Sequence, residues 1–170
     1  MLRRILITAI IVLLLWFGLT FINREQAPPT SASPQTSSSH AAGPPPGPPL
    51  PGDALLADYA SPDTAPIEDL RKLHNVLAGY FSVVKDLTRH PIGGNADLAA
   101  CLLGENVNRQ AFIRPDHPIL DESGLLIDRW GNPFFIHPEA ARELTIRSAG
   151  IDLEMFTADD LIILPTGLTP

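Results

Sequence analysis

Residues 5–22 form an apolar run without a charged side chain, ILITAIIVLLLWFGLTFI. At about 1.5 Å per residue, a helix of this length spans roughly 27 Å, close to the hydrocarbon thickness of a bilayer. Arg3 and Arg4 precede the run and Arg24 follows it. Because basic residues at a short N-terminal end resist translocation, we predict a single transmembrane helix in residues 1–24, with the rest of the chain on the far side.

A cleaved signal peptide is the alternative interpretation of this segment. The apolar core is long for the central region of a signal peptide, and residues 23–26 (NREQ) offer no pair of small residues for cleavage. We therefore predict an uncleaved signal anchor.

Residues 25–52 are rich in proline, serine and glycine and end in GPPPGPPLPG. Proline-rich segments adopt extended polyproline II structure and cannot bury a core. This composition predicts a disordered linker that acts as a semi-rigid spacer.

Residues 53–170 carry 18 acidic and nine basic side chains, a formal net charge of −9. This balance argues against nucleic acid as a partner, since nucleic-acid binding needs a basic face. Cys101 is the only cysteine, so an intramolecular disulfide is excluded and a buried thiol is expected. The segment is long enough to bury a core without covalent cross-links.

Apolar residues recur every three or four positions from Ile67 to Leu87, which predicts an amphipathic helix over 66–87. Asp63 or Thr64 is expected to cap its start. A shorter helix is predicted over 95–103, with Asn95 as its N-cap and Gly104 as the residue that ends it.

Short β-rich segments follow, separated by turns, and we predict strands at 110–113, 125–128, 134–137, 144–147 and 161–164. Asp128 and Arg129 are expected to pair across the hairpin. The fold class predicted for the domain is therefore α+β, with an amphipathic helix packed on a small antiparallel sheet.

Residues 148–162 bring four carboxylates together within nine positions, namely Asp152, Glu154, Asp159 and Asp160. Such a density of oxygen ligands on a short loop suits a hard cation, and we predict Ca²⁺, which takes six to eight oxygens. The alternative is a solvated acidic turn that joins two strands. The EF-hand pattern is absent.

The order and spacing of three motifs resemble the C-terminal half of the major pseudopilin of type II secretion systems. These are DRWGNPF at 128–134, IRSAGID at 146–152 and ADDLI at 158–162. The resemblance covers about 40 residues, and an amphipathic helix precedes them in both. It implies a globular head with a long helix on a small sheet and a Ca²⁺ site in the last loop.

Carried over by position, the resemblance assigns Asp152 and Asp160 as calcium ligands. Asp159 could add a further oxygen, and backbone carbonyls near Leu153 and Phe156 could complete the shell. Leu153 stands where the family has a glycine.

The N-terminus departs from the family pattern, since residues 2–8 (LRRILIT) lack the cleavage-point glycine and the F-T-x-x-E element. We therefore expect a pseudopilin-like head on a different anchor, in a bacterial inner membrane, with the C-terminal domain in the periplasm.

The function predicted from these features is a non-catalytic, membrane-anchored structural or assembly component that binds protein partners and is linked to a type II secretion-like system. The alternatives are a periplasmic hydrolase that uses an acidic pair such as Asp159 and Glu154, and a ligand-sensing module. A hydrolase requires a concave pocket around perturbed carboxylates, and a sensor requires an apolar cavity.

Overall fold

The structure, a computed structural model, describes residues 48–170. Three helices are followed by three strands: α1 Pro51–Leu55, α2 Pro66–Val83, α3 Asn95–Leu102, β1 Phe135–Ala140, β2 Glu143–Ser148 and β3 Leu161–Ile163. This order confirms the predicted α+β class. The predicted transmembrane helix and most of the proline-rich linker lie outside the described residues. Within residues 48–170, no helix has the length and apolar character needed to cross a bilayer.

Helix α2 follows the predicted amphipathic pattern and buries its apolar stripe, which includes Leu70, Leu73 and Leu77. Ala65 occupies the N-cap position without a side-chain hydrogen bond, so the predicted cap by Asp63 or Thr64 is wrong. Pro66 tolerates this arrangement because its ring removes one of the donors that a cap would satisfy.

The same helix ends four residues before the predicted end. Val84 has an extended backbone, with ψ of 102°, yet Val84 and Leu87 are both buried. The apolar spacing continues because the extended segment also faces the core. Periodicity alone therefore placed the helix end too late.

Helix α3 begins at Asn95 and ends before Gly104, whose φ of +110° confirms its predicted role as the residue that ends the helix. Gly94, and not Asn95, precedes the first turn. The side-chain NH₂ of Asn95 instead donates to the carbonyls of Leu126 and Phe134, each at 2.8 Å. Its side-chain oxygen accepts from the backbone amide of Leu126, also at 2.8 Å. Asn95 thus ties the helix to the chain that leads into the sheet.

The three strands form one antiparallel sheet in the order β1-β2-β3. Ile136, Ile146 and Ile163 lie opposite one another across the strands, and all three are buried. Helix α2 packs against β2 and β3. One face of the sheet therefore forms the core with α2, as predicted.

Two predicted strands are not present in the described structure. Residues 110–113 lie beside the end of α3, where the amides of Phe112 and Ile113 both donate to the Leu102 carbonyl. Residues 125–128 make only the isolated bridges Leu120↔Leu126 and Ile127↔Pro133. Both segments are apolar enough for strands, but their backbone groups find other partners.

Candidate functional site

Asp128 connects the two motifs that carry the resemblance described above. One of its carboxylate oxygens, Oδ1, accepts from the amides of Trp130 (3.0 Å) and Asn132 (2.9 Å) and closes the turn. The other, Oδ2, accepts from the Ser148 hydroxyl at 2.6 Å. Both side chains are buried. The turn at 128–134 is therefore joined to the residue at which β2 ends and the acidic loop begins.

Asp128 does not pair with Arg129, and that prediction is wrong. Arg129 reaches back to helix α2, where its Nε lies 2.9 Å from Oδ2 of Asp69. Its Nη1 donates to the Thr64 carbonyl at 2.9 Å. The side chain of Asp69 is 2 % exposed, so the guanidinium provides a charge partner that a buried carboxylate requires.

The acidic loop, residues 149–160, turns back on itself through Asp159. Its Oδ2 accepts from the amides of Ile151 (2.9 Å) and Asp152 (3.1 Å), and its Oδ1 accepts from the Thr157 hydroxyl at 2.7 Å. The hydrogen bonds from Thr157 and the backbone lower the pKa of Asp159 below its usual value. Asp159 is thus held as an anion by neutral donors of its own loop.

Asp160 has a charged partner. Arg147 Nη1 lies 2.5 Å from Asp160 Oδ2, and the Phe156 amide donates to the same oxygen at 2.8 Å. The Asp160 side chain is 2 % exposed. Burial alone raises the pKa of Asp160, but the bonds from Arg147 and the backbone amides outweigh it and keep the pKa below its usual value.

The remaining predicted ligands lie at the exposed edge of the loop. Asp152 is exposed, and its Oδ1 accepts from the Glu154 amide at 2.8 Å. Leu153 and Phe156 are exposed and have left-handed backbones, with φ of +66° and +70°. This conformation suits glycine and is rare for bulky side chains.

The structure brings Asp152, Asp159 and Asp160 into one loop. Both oxygens of Asp159, Oδ2 of Asp160 and Oδ1 of Asp152 accept from N–H, hydroxyl and guanidinium donors. A calcium ion requires six to eight oxygens around it, and at these four atoms it would have to displace the donors. Among residues 48–170, no group of three or more histidine, cysteine or acidic side chains is arranged to hold a metal ion. Asp159 and Oδ2 of Asp160 are thus occupied by donors of the protein itself, and the calcium site stays a prediction from the sequence.

The outer face of the sheet, which lies opposite the core, is not among the sites predicted from the sequence. Phe135, Arg147 and Ile162 are paired across the strands on this face. The Phe156 ring lies edge-on to Phe135, with centroids 5.5 Å apart, and Arg147 Cζ lies 4.9 Å from the Phe156 centroid. The alternation of β1 about buried Ile136 is the sequence signal that could have indicated this face.

Two of the open hollows on the described surface bear on the hydrolase and sensor alternatives. The larger, about 540 Å³, lies between the chain that follows α2 and the β1–β2 turn, with Leu87, Ile92 and Arg142 in its wall. The other, about 410 Å³, lies beside the acidic loop and includes Ile67 and Asp160. Asp160 is already bound to Arg147 there. The hydrolase and sensor alternatives stay untested predictions.

Comparison with protein-family models, with curated proteins and with solved structures gave no match for this chain.

Proposed function

We propose that this chain is a membrane-anchored, non-catalytic assembly component of a type II secretion-like system, with a pseudopilin-like periplasmic head. In this proposal the head binds another protein through the outer face of its sheet. The anchor in residues 1–24 holds the head at the inner membrane, and the proline-rich linker sets its distance from the bilayer.

The observation that carries this proposal is the exposed aromatic pair on that face. Phe156 is 67 % exposed and Phe135 is 40 % exposed, although the two rings contact each other. Ile151 and Leu153, on the same loop as Phe156, are also exposed. Large apolar side chains grouped at a surface mark protein interaction sites, and aromatic residues dominate the binding energy of such sites.

The backbone of the loop supports the same proposal. A left-handed conformation costs a bulky residue such as Phe156 roughly 1–2 kcal/mol and keeps its ring exposed above the sheet. Strain of this kind persists where surrounding contacts enforce it, and it is concentrated at functional positions. Here Phe135 and Arg147 supply the enforcing contacts.

The anchor and the head are tested with the full chain in bacterial membranes. We expect alkaline carbonate to leave the chain in the membrane fraction, and protease to digest the head only after the outer membrane is opened. Recovery of the chain in the soluble fraction would contradict the anchored arrangement.

The interface is tested by placing a photoactivatable phenylalanine analogue at Phe156. The matched control position is Val83, which is 44 % exposed at the end of α2. We expect position 156 to give one discrete cross-linked protein adduct, and position 83 to give none. Phe135→Ser should reduce the yield of that adduct several-fold, because the supporting ring is lost. Equal adducts at both positions would argue against the proposed face.

A further inference from the structure

We propose that Arg147 is the built-in counter-ion of the acidic loop, so that the order of residues 149–160 does not depend on a divalent cation. We refer to Arg147, Phe156 and Asp160 as the arginine latch. The inference rests on the geometry of these residues and is independent of the proposed protein interface.

The Asp160 carboxylate is almost fully covered by the protein. With its side chain 2 % exposed, it has little contact with water and requires a partner of opposite charge. Its Oδ2 atom accepts hydrogen bonds from the Arg147 guanidinium at 2.5 Å and from the Phe156 backbone amide at 2.8 Å. A metal ion at this oxygen would have to displace both donors.

The Arg147 guanidinium is held in place by the sheet and by an aromatic ring. Arg147 lies in the central strand, paired with Phe135 on one side and Ile162 on the other, and its side chain is 23 % exposed. The planar guanidinium also lies against the Phe156 ring, where the negative face of the ring attracts it. The sheet and the Phe156 ring thus hold the positive charge beside the Asp160 carboxylate.

The other carboxylates of the acidic loop form no ion pair with Arg147 and have neutral donors or water as partners. Asp159 accepts from two backbone amides and the Thr157 hydroxyl, and Oδ1 of Asp152 accepts from the Glu154 amide. The side chains of Asp152 and Asp159 also interact with each other, at the exposed side of the loop. Glu154 is exposed, and water screens its charge. Arg147 therefore neutralises Asp160, the carboxylate whose side chain is 2 % exposed.

The test compares the purified full chain in detergent under two conditions, with calcium at about 1 mM and with excess chelator. A calcium concentration of about 1 mM is typical outside the cytoplasm and fills weak calcium sites. We expect the melting temperature to agree within about 1 °C, because no bound ion contributes to stability. Hydrogen exchange of the peptide spanning 149–160 should also be the same in both. A calcium-dependent rise of several degrees, with slower exchange in this peptide, would overturn the inference.

The variants separate the latch from a general loss of folding. Arg147→Met keeps the length of the side chain and its contact with Phe156 but removes the charge, and we expect a melting temperature lower by about 5–10 °C. The melting temperature of Arg147→Lys should lie between those of the wild type and Arg147→Met, since an ammonium keeps the charge but not the planar contact with Phe156. Arg71→Met, which removes an exposed ion pair with Glu68, should leave the melt unchanged.

Asp160→Asn provides the second arm, because it keeps the shape of the acceptor without its charge. If Arg147 and Asp160 act as a pair, the double variant should lose no more than either single variant, and amide exchange at 149–160 should be equally fast in all three. Losses that simply add in the double variant, or an Arg147→Met loop that exchanges as slowly as the wild type, would overturn the latch.

Discussion

The Ser148 hydroxyl donates a hydrogen bond of 2.6 Å to Oδ2 of Asp128 inside the protein, across 20 residues of sequence. The same hydroxyl oxygen accepts from the Gly150 amide at 3.2 Å. One serine therefore joins the turn at 128–134 to the start of the acidic loop. Its position at the end of β2 fixes where the loop leaves the sheet.

Replacing Ser148 with alanine tests this junction. We expect Ser148→Ala to lower the free energy of unfolding by about 1–3 kcal/mol, because the buried Asp128 carboxylate loses a donor. Urea unfolding of the full chain in detergent measures the change. Ser82→Ala removes an exposed hydroxyl that bonds within α2 and should change stability by less than about 0.5 kcal/mol. Equal effects of the two substitutions would contradict the structural role of Ser148.

Gly150 is the point where the loop passes closest to Asp159. Its φ is +73°, and a Cβ there would lie 2.5 Å from the carbonyl oxygen and from Oδ2 of Asp159. We expect Gly150→Ala to cost about 1–2 kcal/mol for the left-handed backbone and a further 1–3 kcal/mol for the overlap. Thermal unfolding measures the sum.

Gly124 is the matched control for this substitution. It has nearly the same backbone, with φ of +79°, but no atom lies within 4 Å of the position a Cβ would take. Gly124→Ala should therefore show the backbone cost alone. If both glycine variants lose the same stability, close contact with Asp159 does not constrain the loop.

The stability of the head should fall as pH drops below 6.5 because of His117. Burial lowers the pKa of His117, against the opposing charges of Asp53 and Asp116, and its Nδ1 accepts from the Ile119 amide at 3.1 Å. The unfolded chain then binds the proton more readily, so stability is complete above pH 6.5 and declines as pH falls through the folded value.

His117→Asn isolates this effect, because an asparagine oxygen can accept from the Ile119 amide without titrating. We expect the melting temperature of the variant to change less between pH 7 and pH 5 than that of the wild type, as measured by tryptophan fluorescence. An unchanged slope in the variant would assign the pH dependence to other groups.

A second acid transition should be confined to the acidic loop. The pKa values of Asp159 and Asp160 both lie below the usual 3.8, because hydrogen bonds and Arg147 stabilise the charged forms. Their contribution is therefore complete above about pH 4 and is lost as pH falls through the folded values. Pepsin cleavage next to Phe156 should increase from pH 4 to pH 2, relative to cleavage of an unfolded reference peptide. A constant ratio would contradict this prediction.

Local signals in the sequence are enough to predict several of the helices and strands. The 3.6-residue spacing of apolar side chains located α2, and Gly104 marked the end of α3. The β-rich segments at 144–147 and 161–164 became strands β2 and β3. These signals work because helix and strand periodicity depends on neighbouring residues alone.

Tertiary structure decided the partners of the polar side chains. Arg129 pairs with Asp69 and not with its neighbour Asp128, while Arg147 reaches Asp160 and Asn95 bonds to chain more than 30 residues away. A charged or amide group bonds to whatever donor or acceptor the fold places within about 3 Å, and sequence spacing does not encode that distance. The acidic loop is recognisable from composition, but its ion pair with Arg147 depends on the pairing of β2 with β3, which places Arg147 beside Asp160.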